Sequence, residues 1–189
     1  MSVDLTTSLG SLELQAPTAT ASGCAAAGRE LAQFGDVSTL GAVVTKSIML
    51  KARSGRATPR MAETPSGMLN SIGLQGPGIE AFLEKDLSWL RDHNVTTIVS
   101  IAGNNVAEFG ELARILRDVP GIGGLEVNIS CPNVESRGQV FACNPFSAAE
   151  VIDTVRNEWT STAPILAKLS PDVTDITEIA GSVINAGAD

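Results

Sequence analysis

A parallel α/β fold, read as roughly the first five βα units of a (β/α)8 TIM barrel, is what this sequence predicts, and three observations carry it. Strand-like and helix-like stretches alternate five times along the chain. The strand candidates are near-continuous apolar runs, as suits a sheet covered outside and packed within. No Gly-x-Gly-x-x-Gly follows the first of them, which weakens a dinucleotide-binding open sheet against the barrel. A complete barrel takes about 250 residues, whereas this chain has 189 and stops at "NAGAD", where a sixth strand is due. Residues 1–189 are therefore expected to form one incomplete barrel domain behind an N-terminal β-hairpin, cut before strand six.

The elements follow in order. "VDLTTSLGSLELQAP" alternates on either side of Ser8-Leu9-Gly10, the pattern of a hairpin. "PTATASG" (17–23) and "LGAVVTKS" (40–47) read as buried strands, with "GRELAQFG" (28–35) a short helix between them. A long loop rich in Arg, Pro, Gly and Ser follows, ending in "GMLNSIGLQGPG". Residues 79–92 are amphipathic at helical spacing, and "VTTIVSIAG" (95–103) is β-branched and apolar, hence a strand. Residues 105–118 read as a helix and "GLEVNIS" as a strand. "SAAEVIDTVRNEW" reads as a helix that Ser147 could cap, "PILAKLS" (164–170) as a strand, and "DVTDITEIAGSVINAG" as a helix stopped by Gly187.

Composition narrows the function. A formal charge of -8 argues against nucleic acid or an anionic membrane as the main partner, though a few focused cations can still hold an anionic ligand. Three cysteines, Cys24, Cys131 and Cys143, are a poor basis for a disulfide framework. His93 has no ligand-spaced partner and no Cys-x-x-Cys pair exists, which argues against zinc. No run approaches the roughly 18 apolar residues of a membrane span, and no signal segment opens the chain. The expectation is a reduced, cytoplasmic protein.

One regularity points to a site. Ser22, Lys46, Ser100, Asn128 and Lys168 each fall at the C-terminal end of an otherwise apolar strand. In a parallel barrel those ends converge on the face where active sites are built. A lysine is costly to desolvate unless it meets an anion, so Lys46 and Lys168 suggest phosphate, carboxylate or an electron-rich ring; snorkelling to the rim is the plainer alternative. Asn70 sits in a loop between Gly67 and Gly73, which allow close backbone approach to a ligand. Cys131 follows strand four in "LEVNISCPNVESRG". It is either a small buried hydrophobe or a reacting thiol, and three features favour the second. Pro132 bends the chain at the strand mouth. Asn128 and Asn133 supply donors and acceptors for a planar polar ligand. A thiol with pKa near about 8.5 is matched to proton abstraction at neutral to mildly alkaline pH. Cys24 and Cys143 read as structural, and His93 as a solvated residue at a helix end. "KARSGRATPR" concentrates Lys51, Arg53, Arg56 and Arg60, as either a solvated loop or a site rim.

With "TKS", "MLNSIGLQGPG" and "NISCPNV" in that order, the whole chain resembles the class 1 dihydroorotate dehydrogenases, FMN-containing (β/α)8 barrels of pyrimidine (UMP) synthesis. "NSIGLQGPGIEAFL" and "CPNVESRGQVFACNP" are closer to the class 1B pattern than to class 1A, and class 2 carries serine at the Cys131 position. The resemblance implies that Cys131 is the base that removes the C5 proton of dihydroorotate, the C6 hydride passing to FMN. It implies substrate contacts from Lys46, Asn70, Ser71, Ile72, Gly73, Leu74, Asn128 and Asn133. It implies FMN contacts from Ser22, Lys46, Ser47, Ser100, Asn128 and Lys168. It further implies an iron–sulfur, FAD-carrying partner subunit that passes electrons to NAD+, around a homo-oligomeric core. Ser100 departs from the asparagine usual in that family. The family's later substrate asparagine, phosphate-binding segments and last three strands would lie beyond Asp189. Two other readings stand beside it: another flavin-dependent, pyrimidine-reducing barrel, or a non-catalytic fragment.

Overall fold

The computed structural model describes residues 3–130 and 140–189. It opens with the expected hairpin, β1 (Thr7–Leu9) against β2 (Leu12–Leu14), turning at Gly10, whose φ of +57° suits glycine. Leu9, Leu12 and the buried Leu14 pack on Ala42, Val44, Ile98 and Leu166, so the hairpin covers part of the main sheet.

Residues 17–23 do not form the expected strand. They lie beside the next segment through a single parallel bridge, Ala19 to Ala42. Thr20 accounts for the gap, because its hydroxyl accepts from Val44 N (2.9 Å) and donates to Val44 O (3.1 Å). A side chain here takes up main-chain groups that a ladder would otherwise pair. The helix expected over 28–35 is likewise reduced, to 3-10 turns at Leu31–Gln33 and Val37–Thr39. Six residues between two glycines are too few to carry an independent helix, and Asp36 begins the second turn by accepting from Ser38 N.

Strand β3 (Val43–Val44) follows. The expected long loop contains a second hairpin, β4 (Met61–Thr64) against β5 (Gly67–Asn70), so Asn70 ends a strand rather than lying in a loop. All eight of its residues are exposed. Without a buried face there is no alternating pattern to betray it.

Residues 79–92 are helical in three pieces: α1 (Ile79–Ala81), a π-helical turn (Phe82–Leu87) and α2 (Ser88–Asp92). Phe82 and Leu87 are five apart, and the wider turn keeps both on the buried side. Then come β6 (Thr97–Ile101), α3 (Val106–Leu116), β7 (Gly124–Asn128), α4 (Pro145–Glu158), β8 (Ile165–Lys168) and α5 (Ile176–Asn185). Helix α4 begins earlier than a Ser147 cap would allow. Asn144 caps it instead, accepting from Phe146 N (2.9 Å) and Ser147 N (3.1 Å), with Pro145 in the first turn where its missing N–H costs nothing.

Strands β3, β6, β7 and β8 form one parallel sheet in chain order. One face carries Val99, Ile101, Leu125, Val127 and Ile165, buried against Leu112 and Leu116 of α3 and Val151, Ile152 and Val155 of α4. Gly110 lets α3 and α4 approach closely, since a Cβ there would stand 2.8 Å from Thr154 Cγ2. The strand period of two sends Ile98, Ser100, Glu126, Asn128, Leu166 and Lys168 to the other face.

Asp175 caps α5, accepting from Thr177 N (2.8 Å) and Thr177 Oγ1 (2.6 Å), and these bonds hold its carboxyl below the usual value of 3.8. A lowered folded value means the stabilisation is whole above the ordinary aspartate range and is lost as pH falls through the lowered value. Asp175→Asn keeps a capping side chain that does not titrate, so it should unfold less steeply with falling pH below about 4. Acid unfolding followed by circular dichroism checks this; identical acid profiles for the two proteins would count against it.

Candidate active site

The site is built from the C-terminal ends of the parallel strands. Register sets Ser100 beside Glu126 and Asn128 beside Lys168 on the face away from α3 and α4. Ser22 reaches the same edge from the bridged segment, and Lys46 and Ser47 follow β3 after Thr45. A cleft of about 160 Å³ gathers Ser22, Lys46, Ser47, Leu74, Asn128 and Lys168. Gly23, Gln75, Met49 and Ala102 complete its wall.

Its polar groups are tied to one another. Lys168 Nζ donates to Ser22 Oγ (3.0 Å), and Asn128 Nδ2 donates to Ser47 Oγ (2.8 Å). Ser47 and Ser100 hydroxyls are 2.9 Å apart, and Ser100 Oγ donates to Glu126 Oε1 (2.7 Å). Asn128 Oδ1 accepts from Ser130 Oγ (2.7 Å). Neither Lys46 nor Lys168 joins a salt bridge among the described residues. Two ammonium groups in a confined cleft attract an anionic or acceptor-rich ligand, even in a chain of net charge -8.

A larger cavity of about 530 Å³ adjoins the cleft and shares Lys46 and Gln75 with it. Ala26, Ala27, Ile48, Ile72 and Phe82 are among its lining residues, with Arg29 and Arg53. Convergence of polar groups, rather than volume, marks the smaller cleft as the chemical site.

The strand-end residues Ser22, Lys46, Asn128 and Lys168 thus come together as expected. Ser100 is fully buried and touches Ser47 from below. Of the 70–74 segment, Leu74 lines the cleft and Ile72 the larger cavity; Asn70, Ser71 and Gly73 line neither. Leu74 has a φ of +52°, a conformation that costs a branched side chain and that occurs where surrounding structure imposes it. Cys131 and Asn133 lie outside the described residues. Glu126 was not foreseen, although "Glu-x-Asn" in a strand already put it on the face of Asn128.

The basic segment acts as a rim. Arg53 N and Gly76 O pair (2.9 Å) with the return bond from Gly76 N to Arg53 O (3.0 Å), and Arg60 Nη2 donates to Gln75 Oε1 (2.7 Å). His93 matches the solvated expectation: it is exposed, stacks on Trp89 at 4.1 Å and contacts Trp89 O through Nδ1. Cys24 and Cys143, read as structural, are both exposed, and Cys143 Sγ lies 3.6 Å from Asp172 O. Among the described residues, no cluster of His, Cys, Asp or Glu could hold a metal ion, and no helix is long and apolar enough to cross a membrane.

Ala26, which lines the larger cavity, has a φ of +45° while its carbonyl accepts from Lys46 N (2.8 Å). Glycine adopts this conformation without the clash between Cβ and carbonyl. Ala26→Gly should therefore raise stability by about 1 kcal/mol. For a chain of this size that is a rise of roughly 2–4 °C in Tm. Thermal unfolding measures it, and a lowered Tm would show that the strain lies elsewhere.

The sequence profile of dihydroorotate dehydrogenase matches residues 4–189. The chain is 45% identical over 186 residues to the "Dihydroorotate dehydrogenase B (NAD(+)), catalytic subunit" of Geotalea uraniireducens, covering 98% of this chain and 60% of that protein. Proteins of the same name from Pelobacter propionicus and Anoxybacillus flavithermus are each 46% identical, over 100% and 98% of this chain and 62% and 59% of their own lengths. The chain thus spans about 60% of the length of these curated relatives.

Proposed function

The chain belongs to the dihydroorotate dehydrogenase family, and on that premise we propose that the complete protein oxidises dihydroorotate to orotate with FMN in pyrimidine synthesis. The observation that carries this reading is the convergence of Lys46, Lys168, Asn128, Ser22 and Ser47 on one cleft at the C-terminal edge of the parallel sheet. In this reading the 189 residues are the first part of one (β/α)8 barrel domain. The parallel sheet order β3-β6-β7-β8, which follows chain order with only the β4–β5 hairpin inserted, supports it.

The donor set suits the polar edge of a flavin ring. Two ammonium groups, two hydroxyls and two carboxamides line a cleft whose remaining wall is apolar. FMN, when bound, supplies the acceptor for the hydride that leaves C6 of dihydroorotate. The chain's own residues bind and orient. Lys46 lines both the cleft and the larger cavity, which supports its contacting both cofactor and substrate. Lys168 is held by Ser22 and stabilises negative charge on the ring. Ser47 and Asn128 offer neutral contacts, with Ser100 supporting them from beneath. The backbone of the 70–74 segment approaches the substrate, and Asn70 and Asn133 complete its contacts. Cys131, just beyond the end of β7, takes the C5 proton, a role that the family resemblance supports.

The relatives are named catalytic subunits of an NAD(+)-linked form. In the same reading, electrons pass to NAD+ through an iron–sulfur, FAD-carrying partner subunit, around a homo-oligomeric core in the cytoplasm. The test is reconstitution of the complete protein with such a subunit. Dihydroorotate-dependent NADH formation that needs both proteins is expected. Full NADH formation without the second subunit, or reduction of some other acceptor alone, would contradict the NAD-linked assignment.

A further inference from the structure

We propose that Glu126 is a positioning residue. Through two serine hydroxyls it fixes the carboxamide of Asn128 so that a hydrogen-bond donor is turned toward the cleft. Four groups form one chain: Asn128 Nδ2 to Ser47 Oγ (2.8 Å), Ser47 Oγ to Ser100 Oγ (2.9 Å) and Ser100 Oγ to Glu126 Oε1 (2.7 Å).

The direction of every bond follows from the carboxylate. An ionised Glu126 can only accept, so Ser100 must give it its single hydroxyl proton. The length of that bond is typical of a hydroxyl donating to a charged oxygen. Ser100 Oγ is then left to accept, and the proton between the serines belongs to Ser47. Ser47 Oγ in turn accepts from Asn128, which requires the amide nitrogen, not the oxygen, at that point. The other side of the amide agrees, because Asn128 Oδ1 accepts from Ser130 Oγ (2.7 Å) and Ser130 N (3.3 Å).

Ser100 has little freedom to break the relay. It is fully buried, and its backbone N–H donates to Thr45 Oγ1 (3.1 Å). One N–H of Asn128 is thus consumed by Ser47, and the second, without a partner among the described residues, is left for the cleft that Asn128 lines. Lys46 and Lys168, on the same cleft, are donors as well. The site therefore selects a ligand that presents acceptors, such as carbonyl oxygens or an unprotonated ring nitrogen, and disfavours one that presents N–H groups there. That this acceptor belongs to FMN rests on the functional reading above; the polarity of the relay does not.

Glu126→Gln keeps the shape of the side chain but can donate through Nε2, which allows the whole chain to reverse. The experiment uses the complete protein labelled with 15N, with the side-chain amide of Asn128 assigned by its loss in Asn128→Asp. Without FMN, Glu126→Gln should move that amide resonance, and Ser47→Ala, which cuts the relay in the middle, should move it too. In a Ser100→Ala background, Glu126→Gln should leave it in place. The FMN dissociation constant should rise about tenfold in Glu126→Gln, the scale of one charge-assisted hydrogen bond. Adding Glu126→Gln to Ser100→Ala should then change it by less than about twofold. An unmoved Asn128 resonance in Glu126→Gln, or equal effects of that substitution in both backgrounds, overturns the relay. Should Glu126→Gln fail to fold, an unmoved resonance in Ser47→Ala overturns it on its own. A wild-type protein that binds no FMN but shows the expected resonance shifts would refute the flavin reading and leave the relay standing.

Discussion

Cys131→Ala is expected to lower dihydroorotate oxidation by the complete protein about 10²–10⁴-fold, the usual worth of a positioned base, while FMN affinity stays within about twofold. The argument starts from β7. Its alternation buries Leu125 and Val127 and delivers Asn128 to the cleft. Ser130 then hydrogen-bonds back to Asn128, and Cys131 is the next residue in the sequence. A thiol at that point needs only modest activation to take a proton at mildly alkaline pH. Cys131→Ser should retain intermediate activity with its pH profile displaced upward, because a hydroxyl is the weaker acid. Stopped-flow reduction of the bound flavin, measured across pH, separates this step from substrate binding. Unchanged rates in both variants would return Cys131 to the ranks of core cysteines.

Lys46→Met should weaken both FMN and dihydroorotate binding, each by roughly ten- to a hundredfold, or about 1.5–3 kcal/mol for a lost charge-assisted contact. Lys46 lines both the cleft and the adjoining cavity, whereas Lys168 already has a partner in Ser22. The backbone of Lys46 is held independently, through its N–H to Ala26 O (2.8 Å), so methionine removes the charge without unseating the strand end. Fluorescence titration of FMN and the KM for dihydroorotate report the two effects. A loss confined to FMN would place the ammonium on the cofactor alone, and no loss in either would remove it from the site.

Much of the sheet was legible because its strands are strict. Val99 and Ile101, Leu125 and Val127, and Ile165 face the helices, and the residues between them face the other way, as the period of two requires. Asn128 and Lys168 were legible as a pair because both fall at C-terminal strand ends, and the register sets them side by side. Legibility failed where side chains or exposure replaced a pattern. Residues 17–23 look like a strand, yet Thr20 satisfies Val44 with its hydroxyl and the ladder shrinks to one bridge. Hairpin β4–β5 buries none of its residues, so hydrophobic alternation had nothing to record. Ser147 was a reasonable cap for α4, but Asn144-Pro145 supplies a stronger start. Glu126 was overlooked because a glutamate in a strand resembles a solvent-facing residue. Only the register with Ser100 shows that it points into the polar network.

The most direct test of the central claim is the reductive half-reaction. The complete protein, purified with its flavin and kept free of oxygen, is mixed with dihydroorotate alone, and the flavin absorbance is followed while orotate is quantified. The account predicts loss of the oxidised flavin band with one orotate formed per flavin reduced. A protein that carries no FMN, or one whose flavin stays oxidised in excess dihydroorotate, would contradict it.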